Sequence, residues 1–271
     1  MTAAGRSADS KLPVTAVVAS RNEAAELARC LPTLAFCDEV IVIDVDSSDE
    51  TPRTAEAHGA RVVRHGFVPI AEWARISVVP AARHSWILLT DPDEEIPGAL
   101  ADEVATTLSS IPDDVAIVWA PIQFFFGCRA LRGTVWGGEN RRRFLVRREG
   151  VELGKTVFGG TQLREGFRSL ELPFRPETAI RHHWVSGYRD WLGKHRRYLA
   201  LDRNARRRAG EVTGLRAVAG RPARSFYDSF VVKKGYRDGL TGLGLSMLWA
   251  LYSAASEIAL LRELRRPRSW G

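Results

Sequence analysis

Short apolar runs alternate with stretches of helical spacing through the first half of this chain. Residues 14–19 form the first run, long enough for a buried strand and too short for a secretory leader. Polar Ser20-Arg21-Asn22-Glu23 follows, and apolar residues then recur at helical spacing over 23–34, with Asn22 placed to cap that helix. Residues 40–44 predict a second strand; Ser47-Ser48-Asp49 open a helix through residue 57, which Gly59 stops. A short third strand is expected at 61–63 and a helix over 72–82, interrupted late by Pro80. Trp86-Ile87-Leu88-Leu89-Thr90 reads as a fully buried fourth strand. Strand–helix alternation of this kind predicts an α/β fold around a mostly parallel sheet. Further on, 117–126 reads as another strand, a stretch rich in glycine and arginine runs to about residue 148, and 189–208 and 225–266 have helical character.

Polar clusters close three of the strands: Ser20-Arg21-Asn22-Glu23, Asp44-Val45-Asp46-Ser47-Ser48-Asp49 and Asp91-Pro92-Asp93-Glu94. One such cluster is an ordinary helix start. Three at the same edge of a parallel sheet mark the crevice where α/β proteins collect ligands. Side chains two apart on an extended backbone share a face, so Asp91 and Asp93 can converge, with Pro92 holding Asp91 extended. Paired carboxylates suit a hard cation, Mg²⁺ or Mn²⁺, that keeps positions open for phosphate oxygens. Asp-Pro-Asp is also ordinary turn chemistry, and both readings stand at this point. Ser48 and Asp49 are equally well explained as a helix N-terminus, whereas Asp44 ends its strand facing the crevice.

Composition narrows the class. The 271 residues are 45% hydrophobic and 26% charged, which excludes a disordered chain. A net charge of +7 favours polyanionic partners, among them nucleotides and anionic lipid surfaces. Cys30, Cys37 and Cys128 lack metal-ligand spacing and fit a reduced, cytoplasmic setting. The arginines are scattered and no nucleic-acid-binding module is visible, so nucleic acid is not an expected partner.

The order of these segments resembles family 2 glycosyltransferases of the GT-A fold, in particular the lipopolysaccharide core-type β-glucosyltransferases of bacterial envelopes. The likeness is carried by residues 17–23, 42–51 and 86–94, and by Lys234-Gly235-Tyr236-Arg237-Asp238-Gly239-Leu240-Thr241-Gly242-Leu243. It implies a GT-A fold: a Rossmann-like, mostly parallel central sheet flanked by helices, with a C-terminal helical extension. The expected division is a lead at 1–12, a nucleotide-sugar half at 13–120, an acceptor half at 121–185, and a helical region that can associate with membranes at 186–271. The resemblance further implies that Ser20, Asn22, Glu23 and Asp44 hold the base and ribose of a nucleotide-sugar donor. Asp91 and Asp93 would contact the metal and diphosphate, with Asp93 catalytic through them. Arg75 lies where relatives place polar residues near the nucleotide; a solvated helix face is its competing reading. The implied reaction is inverting transfer of a hexose from a nucleotide sugar, UDP-hexose first, to a cell-envelope or lipid-linked glycan acceptor.

The second half departs from that pattern. Relatives carry a Val-His-Glu-like motif for the general base, and the corresponding site here reads Val157-Phe158-Gly159-Gly160. Glu165, or less directly Glu139, is then the expected base. Alternatively the acceptor is a polyprenyl phosphate, already ionised and needing no base, or the chain binds nucleotide and glycan without turnover. Arg141 and Arg142 are expected at an acceptor phosphate, and His182 in the acceptor pocket. Arg206-Arg207-Arg208 reads as a solvated helix face. Residues 243–261 approach the length of a bilayer span, but Glu257 and flanking Lys233, Lys234, Arg237, Arg262 and Arg265 favour a helix lying in the membrane plane or packed on the domain. The expected location is the cytoplasm, extending to the inner face of the plasma membrane.

Overall fold

The computed structural model describes residues 11–68, 70–153, 161–208 and 210–265. Their contacts divide the chain into two units, 1–122 with 141–182 and 123–140 with 183–271. Residues 121–185 contribute to both units.

In the first unit, β1 (Leu12–Ser20), β2 (Cys37–Val45), β3 (Arg61–His65) and β4 (Trp86–Thr90) pair in parallel in the order β3-β2-β1-β4. Val14 through Ala19 and all of β4 are buried, as expected of central strands with both faces covered. The connecting helices are α1 (Ala24–Cys30), α2 (Thr51–Ala57) and α3 (Ala71–Val78). α2 begins four residues later than Ser47: Ser47 and Ser48 spend their hydrogen bonds on Asn22 in the loop after β1, and Asp49 accepts the first N–H groups of α1 and α2, from Ala24 and Thr51. After β5 (Glu94–Glu95) comes α4 (Gly98–Ser110), a helix the sequence reading passed over. β6 (Val115–Phe126) continues the sheet. Its order is completed as β4-β8-β6-β12-β5, where β8 is Asn140–Arg147, antiparallel to β4, and β12 is Ile180–Val185. The shorter β7 (Arg129–Ala130) and β11 (Arg168–Glu171) pair with β6, and β9 (Val151–Leu153) pairs with β10 (Thr161–Leu163).

The second unit is mainly α5 (Tyr188–Arg208), α6 (Leu215–Tyr227) and α7 (Gly239–Leu264). Helical structure therefore starts well before residue 225; Gly214, Gly220 and Pro222 hide α6 from a reading by helix breakers. An aromatic core holds these helices, with Trp136 stacked on Trp184 at 4.5 Å between centroids and His195 on Trp191 at 3.6 Å. Arg206 does not face solvent as expected. Its guanidinium reaches Ser256 and the buried Glu257 of α7, which also takes Arg221 of α6 and the Thr213 hydroxyl.

Candidate donor site

The register of the parallel strands gathers the three polar clusters at one rim. Ser20 pairs with Asp44 across β1 and β2, and Val18 with Thr90 across β1 and β4, so the loops after all three strands emerge side by side. Ser20 and Asp44 are both buried. Two of these loops are stitched together. Asn22 Oδ1 accepts the Ser48 N–H at 2.7 Å, the Asn22 N–H donates to Ser47 Oγ, and the Ala24 N–H donates to Asp49 Oδ2. Asn22 and Asp46 both adopt left-handed backbone, at φ 55° and 57°. Asn and Asp tolerate that conformation best, and such strain persists where surrounding contacts over-determine it. Ser47 and Ser48 therefore serve the loops, while Asp49 also accepts the Thr51 N–H at the start of α2.

Asp91-Pro92-Asp93-Glu94 is a turn, closed by the Glu94 N–H on the Asp91 carbonyl at 3.1 Å. The turn reading was right about backbone; the carboxylates converge all the same. Asp91 Oδ1 receives Arg75 at 2.6 Å, and Asp91 Oδ2 receives Arg142 at 3.2 Å. Arg142 also binds the fully buried Glu94, whose other oxygen accepts from the Thr90 hydroxyl and the Asp91 N–H. His182 lies opposite Glu94 in the β12–β5 register, with Nε2 3.3 Å from Asp93 Oδ2.

This mixed cluster tunes itself. Burial would raise the Asp91 carboxyl, but Arg75, Arg142 and His182 hold it well below the usual carboxylate range. Burial likewise opposes charging of His182, and the Asp93 carboxylate, followed by Glu94 and Asp91, keeps the imidazolium above its ordinary value. Glu23 behaves oppositely. Burial pushes its carboxyl up to about 7, with Asp93 and Asp91 adding repulsion against hydrogen bonds from the Arg21 N–H and the Ser20 hydroxyl.

Sequence-derived candidates thus meet unevenly. Ser20, Asn22, Glu23, Asp44, Arg75, Asp91, Asp93, Arg142 and His182 all belong to this rim or cluster. Arg75 is 5% exposed, which replaces the solvated-face reading with an ion pair. Arg142 is committed to two carboxylates instead of standing ready for a phosphate. Arg141 leans on the Leu172 carbonyl and Glu171. Glu165 is exposed in the turn after β10, beside Arg164, which bonds Gly150. Gly150 follows Arg148, bonded in turn to Ser85 at the start of β4, the end remote from Asp91. Among the described residues, no hydrogen bond or ion pair joins Glu165 to the carboxylates. Residues 157–160 lie outside the described residues. Glu94 was missed as a site residue: alternation along an extended chain turns it away from Asp93, whereas the Pro92 turn folds it back under Asp91.

Among the described residues no group of three or more metal-ligating side chains forms a self-sufficient cage. The donor set nevertheless fits a hard cation that shares its shell with phosphate, which needs only one or two protein carboxylates. Asp91 has a guanidinium on each oxygen, whereas Asp93 pairs with His182 through Oδ2, so Asp93 is the better placed of the two for that task.

Comparison with known proteins decides the family. The sequence model described as glycosyl transferase family 2 matches residues 15–162, more than half of the chain. The chain belongs to glycosyl transferase family 2. An uncharacterized glycosyltransferase of Rickettsia bellii is 24% identical over 93% of this chain and 86% of its own length. Another, from Rickettsia felis, is 35% identical over 37% of this chain, a match spanning 36% of that protein. Among solved structures, the mannosyltransferase PcManGT from Pyrobaculum calidifontis, in complex with GDP-Man and Mn²⁺, superposes with a TM-score of 0.54 at 15% identity, covering 94% of this chain and 89% of its own. That likeness extends over nearly the whole family 2 chain and bears out the GT-A architecture.

Proposed function

We propose that this family 2 protein transfers a hexose, with inversion, from a nucleoside diphosphate sugar, UDP-hexose first, to a cell-envelope or lipid-linked acceptor. The observation that carries the reading is the meeting of Asp93, Asp91 and Glu23 with Ser20 and Asp44 at the carboxyl edge of β1, β2 and β4. PcManGT, complexed with GDP-Man and Mn²⁺, supports a nucleotide-sugar donor. The buried Asp44 and Ser20 hold the nucleoside, on loops fixed in advance by Asn22 and Ser48. Asp93 would hold Mg²⁺ or Mn²⁺, which would neutralise charge building on the departing diphosphate. Arg75 and Arg142 keep Asp91 ionised and the turn rigid, so Asp93 is presented in one geometry.

A phosphate acceptor has a specific observation in its favour. Of the two carboxylates nominated as base, Glu165 stays away from the cluster, and Glu139 is exposed in the second unit. An acceptor already ionised at neutral pH requires neither. Incubating the protein with UDP-, GDP- and dTDP-hexoses, Mn²⁺ and either polyprenyl phosphate or glycan acceptors tests this. Transfer lost in Asp93→Asn is expected; an inert wild type across all combinations would leave only a binding role.

A further inference from the structure

The second unit carries a cationic cavity that the proposed donor site does not use. It encloses about 410 Å³ and is lined by Arg129, Ala130, Arg132, Arg237, Asp238 and Gly239. The signature stretch from Lys234 to Leu243 builds its wall. A Cβ on Gly133 would collide with the Lys234 carbonyl, and one on Gly242 with the Gly235 carbonyl, so backbones pack there without intervening side chains. Asp238 fixes the joint by accepting the N–H groups of Arg132 and Gly133, both at 2.8 Å. Its carboxylate is thereby occupied, and three guanidiniums face one acid. Arg129 is steadied by the Asp238 carbonyl and Thr241 Oγ1, while Arg132 and Arg237 are exposed and form no ion pair with a described residue. α7 begins at Gly239 in the same wall, and the N-terminus of a helix this long adds favourable potential for an anion.

The surface around the cavity is not that of a site for a free anion. Leu240, next to Gly239, is 85% exposed, and Tyr236, next to Arg237, is 54% exposed. Val231 and Val232 are exposed as well, followed by exposed Lys233 and Lys234. Apolar side chains interleaved with cations match the boundary of an anionic bilayer, where the former enter the acyl layer and the latter meet phosphates.

We propose that the Arg129–Arg132–Arg237 cavity binds the phosphate monoester headgroup of a membrane lipid, with Val231, Val232 and Leu240 seated in the bilayer beside it. The proposal concerns lipid docking by the second unit and stands or falls apart from nucleotide binding at the first. The test is co-sedimentation of the full chain with vesicles of phosphatidylcholine alone, or doped with phosphatidic acid (a monoester) or phosphatidylglycerol (a diester). Wild type is expected to favour phosphatidic acid vesicles. The double variant Arg132→Gln/Arg237→Gln should lose that preference about tenfold, and Val232→Ser/Leu240→Ser should bind all vesicles more weakly. Arg53→Gln, an exposed arginine of α2, should change nothing. Nucleotide-induced thermal shifts, read on each variant, report that the first unit is intact. The proposal is overturned if wild type ignores all vesicles, if the arginine variant binds like wild type, or if phosphatidylglycerol serves equally. It is also overturned if inorganic phosphate raises Tm through the same arginines while phosphatidic acid vesicles go unbound.

Discussion

Asp91 and Asp93 stand two residues apart and have different surroundings. Asp91 is held between two guanidiniums, so Asp91→Asn leaves Arg75 and Arg142 short of charge in a mostly buried cluster. A loss of about 3 kcal/mol in urea unfolding is expected, the usual cost of removing one partner from such a cluster. Asp93→Asn removes the carboxylate that pairs with His182 and so costs stability as well, but its larger effect should be on metal-dependent nucleotide binding. Glu23 offers a pH signature. Its folded-state carboxyl titrates near 7 rather than at the ordinary carboxylate value. An acid whose pKa is raised by folding is protonated in the folded state while already ionised in the unfolded one. Its contribution is therefore neutral in acid and becomes a penalty as pH climbs toward 7. In metal-free buffer, Glu23→Gln should leave Tm unchanged near pH 4 and stabilise the protein at pH 8 by on the order of 2 kcal/mol, discounting for partial exposure. A uniform shift at all pH values would contradict this assignment.

Among the elements, the parallel strands were legible because each is an apolar run buried on both faces, and β4 falls where the pattern put it, at Trp86–Thr90. The loops were legible as polar clusters but not as a mutual brace. Nothing local in Asn22 announces that its side chain caps Ser48, a contact across 26 positions. Asn22→Ala removes that bond and the tolerance of left-handed backbone together. A loss of ~2 kcal/mol is expected, with nucleotide affinity falling further than stability, read by titration against urea unfolding. α7 was legible as a long apolar helix, but its partners were not. Glu257 in an apolar run argues against a bilayer span, and the structure gives it Arg206 and Arg221 as partners from α5 and α6. Burial would raise its carboxyl, but Thr213, Arg206 and Arg221 keep it below the ordinary value. A carboxyl lowered by folding contributes stability above the unfolded pKa and loses it as pH falls through the folded one. Glu257→Gln should thus weaken the protein at pH 7, and progressively less in acid, as followed by the tryptophan fluorescence of the helical unit.

For the whole molecule, sequence order could place residues along the sheet but not across it. Arg142 and His182 reach the Asp91 turn only because β8 pairs with β4 and β12 with β5, long-range neighbours that no local pattern encodes. The same limit hid the cavity built from 129–132 and 237–239, which lie more than a hundred positions apart and share one hydrogen-bonded joint. The helix spanning Gly235–Leu264 is long and apolar enough to cross a bilayer, reaching a mean hydropathy of 1.3 over 18 residues, yet it packs against α5 and α6. The central claim is that a carboxylate turn at the rim of β4 shares a divalent cation with a nucleoside diphosphate. Thermal unfolding of wild type and Asp93→Asn with UDP, GDP or dTDP, each with and without Mn²⁺, tests it most directly. At a hundredfold excess over Kd, one nucleotide should stabilise wild type by ~2.7 kcal/mol, only with Mn²⁺, and leave Asp93→Asn unmoved. Equal stabilisation of both proteins, or none by any nucleotide, would contradict the account.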